Sequence, residues 1–302
     1  MAASGQFPWP PVVRFVAVSG QNLMAADTSA DAPEYNYIRE VDYCSMASLL
    51  VRRSAYEEVG GIDVTFSPGY YEDTDLCYAL AQRGHKVLYV PKSVVVHNGG
   101  GSFSDEANPP PGLPRDDQLE SNRRKFAAKW DRQLQAHLPY LTANGLIGSR
   151  KAGALHILLG DNMVPAGDQD SGGLRMVEII KALVDLGCKI SLLPHNLASR
   201  EPYTGQFQDL GVEVLHGNRN LQEFFDQRRG LYDLAMLSRP DVCGDYLPLL
   251  RRTSPRTFII YDTVDLHHLR EARRRQVEGL ELDGEYRALS DVAARGVNPG
   301  LL

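Results

Sequence analysis

Two adjacent acids, Glu72 and Asp73, stand where a short helical pattern begins, and His97 ends an apolar run further along the chain. A carboxylate in such a position could accept a proton from a reacting hydroxyl, and an imidazole could ligate a divalent metal. The glycine run Gly99–Gly101, directly after the histidine, could fold over a ligand. The alternative is structural, because acids in a first turn favour the positive end of the helix dipole and a lone histidine is commonly a surface or hydrogen-bonded residue.

A second candidate site lies in the other half of the chain. Gly172 and Gly173 open an amphipathic helical pattern, where small residues let the backbone approach a ligand at a helix N-terminus. This stretch does not have the G-x-G-x-x-G spacing, so a dinucleotide site is poorly supported. Asp265 and His267 come just after a strand-like segment, where they could contact a ligand or cap a loop.

Short elements must position the acids of the first half. The apolar run Met46–Val51 predicts a buried strand. The S-x-x-E pattern of Ser54–Glu57 predicts a capping box that opens a short helix, with Gly60 and Gly61 at its end. A second helix is predicted from about Asp73 to Arg83, and Gly84 is its stop signal. The remaining predicted elements are two short strands, Val87–Val90 and Val94–Val96, and a long helix, Gln118–Leu138.

Beyond Gly145, short apolar runs alternate with helix-length segments. Strands and helices that alternate at this spacing predict a parallel, doubly wound sheet. The expected fold class is therefore α/β, with a Rossmann-like parallel sheet of about five strands in the second half. The predicted strands are Leu155–Leu159, Lys189–Leu193, Val212–Leu215, Leu234–Leu237 and Thr257–Tyr261.

The composition argues against a nucleic-acid-binding, disulfide-rich or membrane-spanning protein. The chain has 302 residues, 43% of them hydrophobic, and a net charge of −6 that both halves share, so no basic face for nucleic acid is predicted. Its four cysteines are scattered, which favours reduced thiols over a disulfide framework or a zinc site. No apolar run approaches the roughly 20 residues of a membrane helix, and the N-terminus lacks a signal-peptide pattern. We therefore expect a cytoplasmic protein.

The segment VDYCSMASLLVRRSAYEEVGGIDVTFSPGYYEDTDLCYALAQRGHKVLYVPKSVVVHNGGGS resembles the C-terminal half of the catalytic domain of family 2 glycosyltransferases, inverting enzymes with the GT-A fold. The similar features are the VDY-C-S segment, the GG-I-D turn, the Y-E-D-T-D-L helix start and the V-V-V-H strand end. The resemblance implies that Asp73 is the general base, with Glu72 beside it in the catalytic pair. It also implies that Asp42 binds substrate and that His97 ligates Mg²⁺ or Mn²⁺. The N-terminal half of that family, with its donor D-x-D, has no counterpart in residues 1–30.

The stretch HILLGDNMVPAGDQDSGGLRMVEIIKALVDLG, together with DLAMLSRPDV and RTFIIYDTVDLHHLRE, resembles the N-terminal Rossmann-like domain of GT-B glycosyltransferases of the family 4 type. In those enzymes this domain mainly holds the acceptor, and the donor nucleotide binds a C-terminal domain. The resemblance implies that Gly172 and Gly173 approach substrate and that Asp265 and His267 contact the acceptor. The C-terminal domain of such enzymes has no counterpart here.

These resemblances divide the chain into four parts. Residues 1–30 are unassigned and expected to be poorly ordered, and residues 31–112 are the C-terminal half of a GT-A domain. Residues 113–150 are a helical linker, and residues 151–302 are a GT-B N-terminal domain. We expect a junction piece of a bacterial multidomain glycosyltransferase, which transfers a sugar from a nucleotide-sugar to a cell-surface glycan. Through that acceptor the chain would be peripheral to the inner membrane. The alternatives are a non-catalytic remnant or acceptor-binding module, and a Rossmann oxidoreductase.

Overall fold

The computed structural model describes residues 32–94, 115–135, 154–264 and 267–279. The expected disorder of residues 1–30 and the assignments of His97 and Asp265 therefore fall outside the described residues. The chain divides into two compact units, residues 1–152 and residues 153–302. Within the described residues, no helix is both long enough and apolar enough to cross a membrane.

The first unit is mainly helical and has a small sheet. Its strands, β1 and β2, are two residues each and pair antiparallel, Arg39 with Tyr89 and Glu40 with Leu88. Short 3-10 turns connect the other elements, and the described C-terminal part of the unit is helical. The elements are β1 (Arg39–Glu40), α1 (Arg53–Glu58), α2 (Glu72–Gln82), β2 (Leu88–Tyr89), α3 (Arg115–Lys129) and α4 (Asp131–Leu134).

The helix predicted from Asp73 to Arg83 is confirmed as α2, and Gly84 follows it with φ +82°. The buried strand predicted at Met46–Val51 is wrong. Residues Met46–Ser48 form a 3-10 turn, and Leu50 beyond it is 98% exposed. An apolar run predicts burial only where another element covers it, and no described element covers Leu50.

Three further details of the first unit differ from expectation. The capping box is wrong, because α1 begins at Arg53 with Arg52 as its N-cap, which places Ser54 inside the helix. The second predicted strand, Val94–Val96, is not found at Val94, and residues 95–96 lie outside the described residues. The long predicted helix is interrupted at Trp130, which separates α3 from α4. Helix α3, expected in a linker, packs its Phe126 into the core of the first unit, and Trp130, directly after the helix, is buried in the same cluster.

The second unit confirms the predicted parallel sheet. Five strands pair in the order β5-β4-β3-β6-β7, and every described pairing in this sheet is parallel. Apolar runs bounded by helices give such strands because both faces of the sheet are covered. The elements are β3 (His156–Asp161), α5 (Ser171–Asp185), β4 (Lys189–Pro194), α6 (Tyr203–Asp209), β5 (Glu213–Val214), α7 (Leu221–Gln227), β6 (Leu234–Ser238), α8 (Pro240–Thr253), β7 (Phe258–Asp262) and α9 (His267–Glu278).

The core of the second unit explains why α5 lies on the sheet. Met176 and Ile180 of α5 are fully buried against Leu159 and Leu192 of the neighbouring strands β3 and β4. Burying a side chain of this size contributes roughly 1.5–3 kcal/mol. The second unit is thus a Rossmann-like α/β fold whose strands β3, β4, β6 and β7 all end at one edge, called the carboxyl edge below.

Candidate functional site

The acid pair follows a backbone turn that is unusual for its residues. Tyr70 and Tyr71 both have positive φ angles, 71° and 73°, and α2 begins at the next residue, Glu72. A left-handed conformation costs a residue with a side chain about 1–2 kcal/mol, so contacts elsewhere must hold this turn. Glu72 and Asp73 are consequently presented together in the first turn of a helix.

Asn122 of α3 holds that turn in place. Its side chain is fully buried, and its Nδ2 donates hydrogen bonds to the carbonyl oxygens of Phe66, Gly69 and Tyr70 at 2.8, 2.9 and 3.0 Å. The rings of Tyr71 and Phe126 also pack with their centroids 5.3 Å apart. Helix α3 therefore fixes the conformation from which α2 starts.

Asp75, two residues after Asp73 in the first turn of α2, has a structural role. It is 2% exposed, and its carboxylate accepts hydrogen bonds from Trp130 Nε1 at 2.7 Å and Lys129 Nζ at 2.9 Å. Lys129 also bridges to Asp63 at 2.8 Å, and this ion pair holds the pKa of Asp63 well below its usual range. Both oxygens of Asp75 are thus engaged in joining α2 to the end of α3.

Asp73 is oriented by hydrogen bonds within its own surroundings. Its Oδ2 accepts from the backbone N of Met46 at 3.1 Å, and its Oδ1 accepts from the backbone N of Thr74 at 2.7 Å. The Thr74 hydroxyl lies 3.2 Å from the same Oδ1. A carboxylate has about four acceptor positions, so these contacts leave room for one further donor. Asp73 can therefore accept a hydrogen bond from a hydroxyl.

The Asp73 carboxyl contributes to the raised pKa values of Tyr43 and Cys44. Burial and then the Asp73 charge raise the pKa of Tyr43 far above its ordinary range, and the same two causes raise the pKa of the Cys44 thiol to about 11. These groups are neutral near pH 7. Tyr43 and Cys44 are thus neutral polar groups close to the Asp73 carboxyl.

Glu72 lies in a different environment from its neighbour. Its Oε2 is buried, and no described residue donates a hydrogen bond to it. Burial raises the pKa of Glu72, and the charge of Asp73 raises it further. The two carboxyl groups are therefore unlike: Glu72 is the one that burial shifts towards the protonated form, whereas Asp73 is held by hydrogen bonds.

Asp42, predicted to bind substrate, borders a cavity of about 110 Å³ with Tyr78 and Gln133. Its charge contributes, after burial, to raising the pKa of Tyr78. Among the described residues, no group of three His, Cys, Asp or Glu side chains could hold a metal ion. The described residues therefore do not form a complete Mg²⁺ or Mn²⁺ site, and the role of His97 stays a prediction.

In the second unit, the glycine pair lies at the start of α5. The N–H of Gly173 donates to the side chain of Asp170 at 2.6 Å, and a Cβ at Gly173 would lie 2.5 Å from the carbonyl oxygen of Ala166. A Cβ at Gly172 would lie 3.2 Å from the side chain of Val264. The glycine pair and residues 262–264 thus lie at the same edge of the sheet. The N–H of Gly173 is therefore already hydrogen-bonded to Asp170, and the lack of a side chain at Gly173 allows Ala166 to pack closely against it.

The carboxyl edge also carries charged residues that the sequence analysis missed. Arg175 donates two hydrogen bonds to Asp262 at 2.8 and 2.9 Å, and Ser238 donates to the same carboxylate at 3.0 Å. Arg239 Nε donates to Asp161 at 3.0 Å. The positions of these acids at strand ends were a usable signal, because open parallel sheets bind ligands at that edge.

Arg239 has the least favourable backbone conformation at this edge. Its angles are φ +80° and ψ 148°, in a region occupied almost only by glycine. It is followed by Pro240, the first residue of α8. His267 is the first residue of α9, so the structure places it after the end of β7, as the sequence predicted.

Comparison with known proteins identifies a glycosyltransferase-like region. A segment of 58 residues, 19% of this chain, is 40% identical to the pre-mycofactocin glycosyltransferase of Mycobacterium tuberculosis and covers 12% of that protein. A segment of 60 residues, 20% of this chain, is 43% identical to the N-acetylglucosaminyl-diphospho-decaprenol L-rhamnosyltransferase of the same organism and covers 19% of it. The chain thus spans less than a fifth of the length of these curated relatives. No protein-family model matches the chain, and no solved structure is significantly similar to it.

Proposed function

We propose that the first unit carries the acceptor-activating part of an inverting glycosyltransferase. The observation that carries this proposal is the orientation of Asp73 by Met46 and Thr74 at the start of α2. The similarity of a segment of the chain to two glycosyltransferases supports the same reaction class. The proposed donor is a nucleotide-sugar, and the proposed acceptor is a cell-surface glycan reached from the cytoplasmic side of the inner membrane.

In the proposed reaction, Asp73 acts as the general base. It takes the proton of the acceptor hydroxyl while the hydroxyl oxygen forms a bond to the anomeric carbon of the donor sugar. The bond from that carbon to the nucleoside diphosphate breaks, and its electron pair leaves with the diphosphate. Proton transfer to a positioned carboxylate typically contributes about 10²–10⁴-fold to the rate.

Glu72 is the second acid of the proposed catalytic pair. Burial raises its pKa, which shifts it towards the neutral form relative to an exposed glutamate. A divalent metal with His97 as one ligand is part of the proposal, but the described residues do not complete such a site, and no step is assigned to it.

The test compares the chain with Asp73→Asn in transfer and hydrolysis of a panel of nucleotide-sugars with Mn²⁺. We expect weak donor binding and slow turnover in the wild-type chain, because the described residues form no metal site to grip a diphosphate. That turnover should fall by about 10²-fold or more in the variant. The control is Asp116→Asn, an exposed acid of α3, which should leave turnover unchanged. Equal turnover in wild type and Asp73→Asn would exclude Asp73 as the base.

A second candidate function, acceptor binding without chemistry, is favoured by the carboxyl edge of the second unit. Arg175 is paired there with Asp262, and Arg239 is paired with Asp161. A sugar hydroxyl both donates and accepts hydrogen bonds, so carboxylates next to guanidinium groups suit it. Glycan binding that Arg239→Lys weakens and Asp73→Asn leaves unchanged would place this function in the second unit.

A further inference from the structure

Residues 49–51 form an extended segment with strand-like alternation but without a strand partner. Leu49 and Val51 pack against the apolar cluster of α1 and α2, whereas Leu50 is 98% exposed. The residues at its two ends, Leu49 and Arg52, have extended backbone angles of φ −113°, ψ 121° and φ −64°, ψ 125°. Within the described part of the chain, no backbone hydrogen bond joins Leu49, Leu50 or Val51 to another residue. Among the described residues, the backbone of this segment therefore has no pairing partner.

Strand β2 lies across a groove from this segment. Val87 and Tyr89 are buried, whereas Leu88 and Val90 are 48% and 41% exposed, which is the alternation of a strand. In the described residues, the sheet of β1 and β2 has no third strand. A cavity of about 580 Å³ is lined by both stretches and by Cys77 and Leu80 of α2. Two extended walls with exposed apolar side chains thus face one groove.

Basic side chains predominate among the described residues of this groove. Its described charged lining residues are Arg52, Lys86 and His85. His85 is paired with Glu58 at 3.0 Å. No ion pair is found for Arg52 or Lys86 among the residues that the structure describes. The described part of the groove is therefore mainly apolar, with Arg52 and Lys86 as basic residues at its rim.

We propose that this groove binds an extended polypeptide strand with alternating apolar side chains and an acidic residue near its end. Such a strand would lie between β2 and residues 49–51, hydrogen bond to the backbone of residues 49–51 and to the N–H of Leu88, and place its apolar side chains beside Leu50 and Leu88. Strand addition of this kind gains affinity from main-chain hydrogen bonds and specificity from alternate side chains. An exposed apolar edge of this kind is otherwise a site of non-specific pairing. This inference does not rest on the proposed glycosyltransferase function.

The experiment uses the full chain and a labelled short peptide of alternating valine and threonine with glutamate at both ends. We expect binding that protects the amides of residues 49–51 and 88–90 from hydrogen exchange. Leu50→Asp should weaken binding by about tenfold or more, since it places a carboxylate on the apolar wall. Leu50 is exposed, so this variant keeps its fold, and Leu186→Asp, an exposed leucine of the second unit, is the matched control.

The competing occupants give different outcomes. A peptide whose central valine is replaced by proline cannot pair its backbone, so equal binding of that peptide would overturn the proposal. Binding without protection of residues 49–51 would also overturn it. Displacement of the peptide by dodecyl phosphate, with dodecyl phosphate binding tightly by itself, would assign the groove to an anionic amphiphile. Self-association abolished by Leu50→Asp would assign it to a second copy of the chain.

Discussion

The two units of this chain are stabilised by different kinds of contact. In the second unit, one apolar cluster spans four strands and two helices, and the sheet fixes the positions of the strand ends. In the first unit, the described sheet has two short strands, and the buried side chains fall into three small clusters. Hydrogen bonds from Asn122, Lys129 and Trp130 there supply the connections that backbone pairing supplies in the second unit. A candidate site can thus be held by a sheet edge or by a few polar side chains.

Buried polar groups occur in both units. Among the described residues, the ion pair with both side chains buried lies in the second unit, whereas Lys129, the partner of buried Asp75 in the first unit, is exposed. Arg228 and Glu213 are 3% and 6% exposed, and their side chains bond at 2.7 and 2.9 Å. The Asn122 contacts are between a neutral amide and neutral carbonyls. Removing one partner of a buried ion pair leaves an uncompensated charge, which costs more than an unmade neutral hydrogen bond. This difference ranks the effects expected below.

The largest effect is expected for Arg228→Ala. This change leaves Glu213 buried without its partner, and the second unit should lose about 3–5 kcal/mol of unfolding free energy. The measurement is hydrogen exchange of the second-unit amides, which reports the second unit separately. Arg229→Ala is the control, because Arg229 is exposed and bridges only to exposed Asp226. Similar losses from Arg228→Ala and Arg229→Ala would show that burial of the pair is not decisive.

A smaller effect is expected for Asn122→Ala in the first unit. Three buried carbonyl oxygens lose their donor, and we expect a loss of about 2–3 kcal/mol. Exchange of the Thr74 amide should also accelerate, because the turn before α2 is no longer fixed. Arg124→Ala, an exposed position of α3, should change neither measurement. An unchanged Thr74 amide in Asn122→Ala would mean that the turn is held by other contacts.

Arg239 permits a test of backbone strain alone. Both Arg239→Gly and Arg239→Ala remove the bond to Asp161, but only glycine accepts φ +80°, ψ 148° without strain. We therefore expect Arg239→Gly to be more stable than Arg239→Ala by about 1–2 kcal/mol. Urea unfolding of the two variants gives this difference directly. Equal stabilities would show that this conformation is not strained.

The smallest effect is a pH dependence at Glu72. Burial raises its pKa in the folded chain, so the wild type loses stability as the pH rises through the range between the unfolded and folded pKa values. Glu72→Gln lacks this loss, and it should be slightly more stable than wild type at pH 7 and equal to it at about pH 3. Exposed Glu57→Gln should show no such trend. A Glu72→Gln advantage that grows on acidification would contradict the burial of Glu72.

Sequence patterns predicted the second unit well, because its elements are set by local apolar periodicity. The strand predicted at Leu234–Leu237 is observed at Leu234–Ser238, and the helix predicted from Gly172 is observed from Ser171. The strand prediction at Met46–Val51 was wrong. An apolar run indicates a buried strand only if another element covers it, and no described element covers this one. Leu49 and Val51 are still partly buried and Leu50 is exposed, as in a strand, but this segment has no strand partner among the described residues.

The connections within the first site could not be predicted. Asn122 lies in a polar stretch of α3, and nothing local marks it as the residue that fixes a turn more than fifty positions earlier. Asp75 is one of several acids in the first turn of α2, and the position of Trp130 shows its structural role. The positive φ of Arg239 has no local signal either. Such contacts depend on long-range packing, which periodicity and spacing do not encode.

The distance along the chain between the acid pair and its clamp also sets an order of events during synthesis. Asn122 follows Phe66, Gly69 and Tyr70 by 56, 53 and 52 residues. At about 5–20 residues per second, the ribosome makes the turn about 3–11 s before it makes the side chain that fixes it. During that interval the start of α2 can leave the left-handed conformation, which is costly for tyrosine. The acids therefore reach their final orientation only when α3 docks, late in the folding of the first unit.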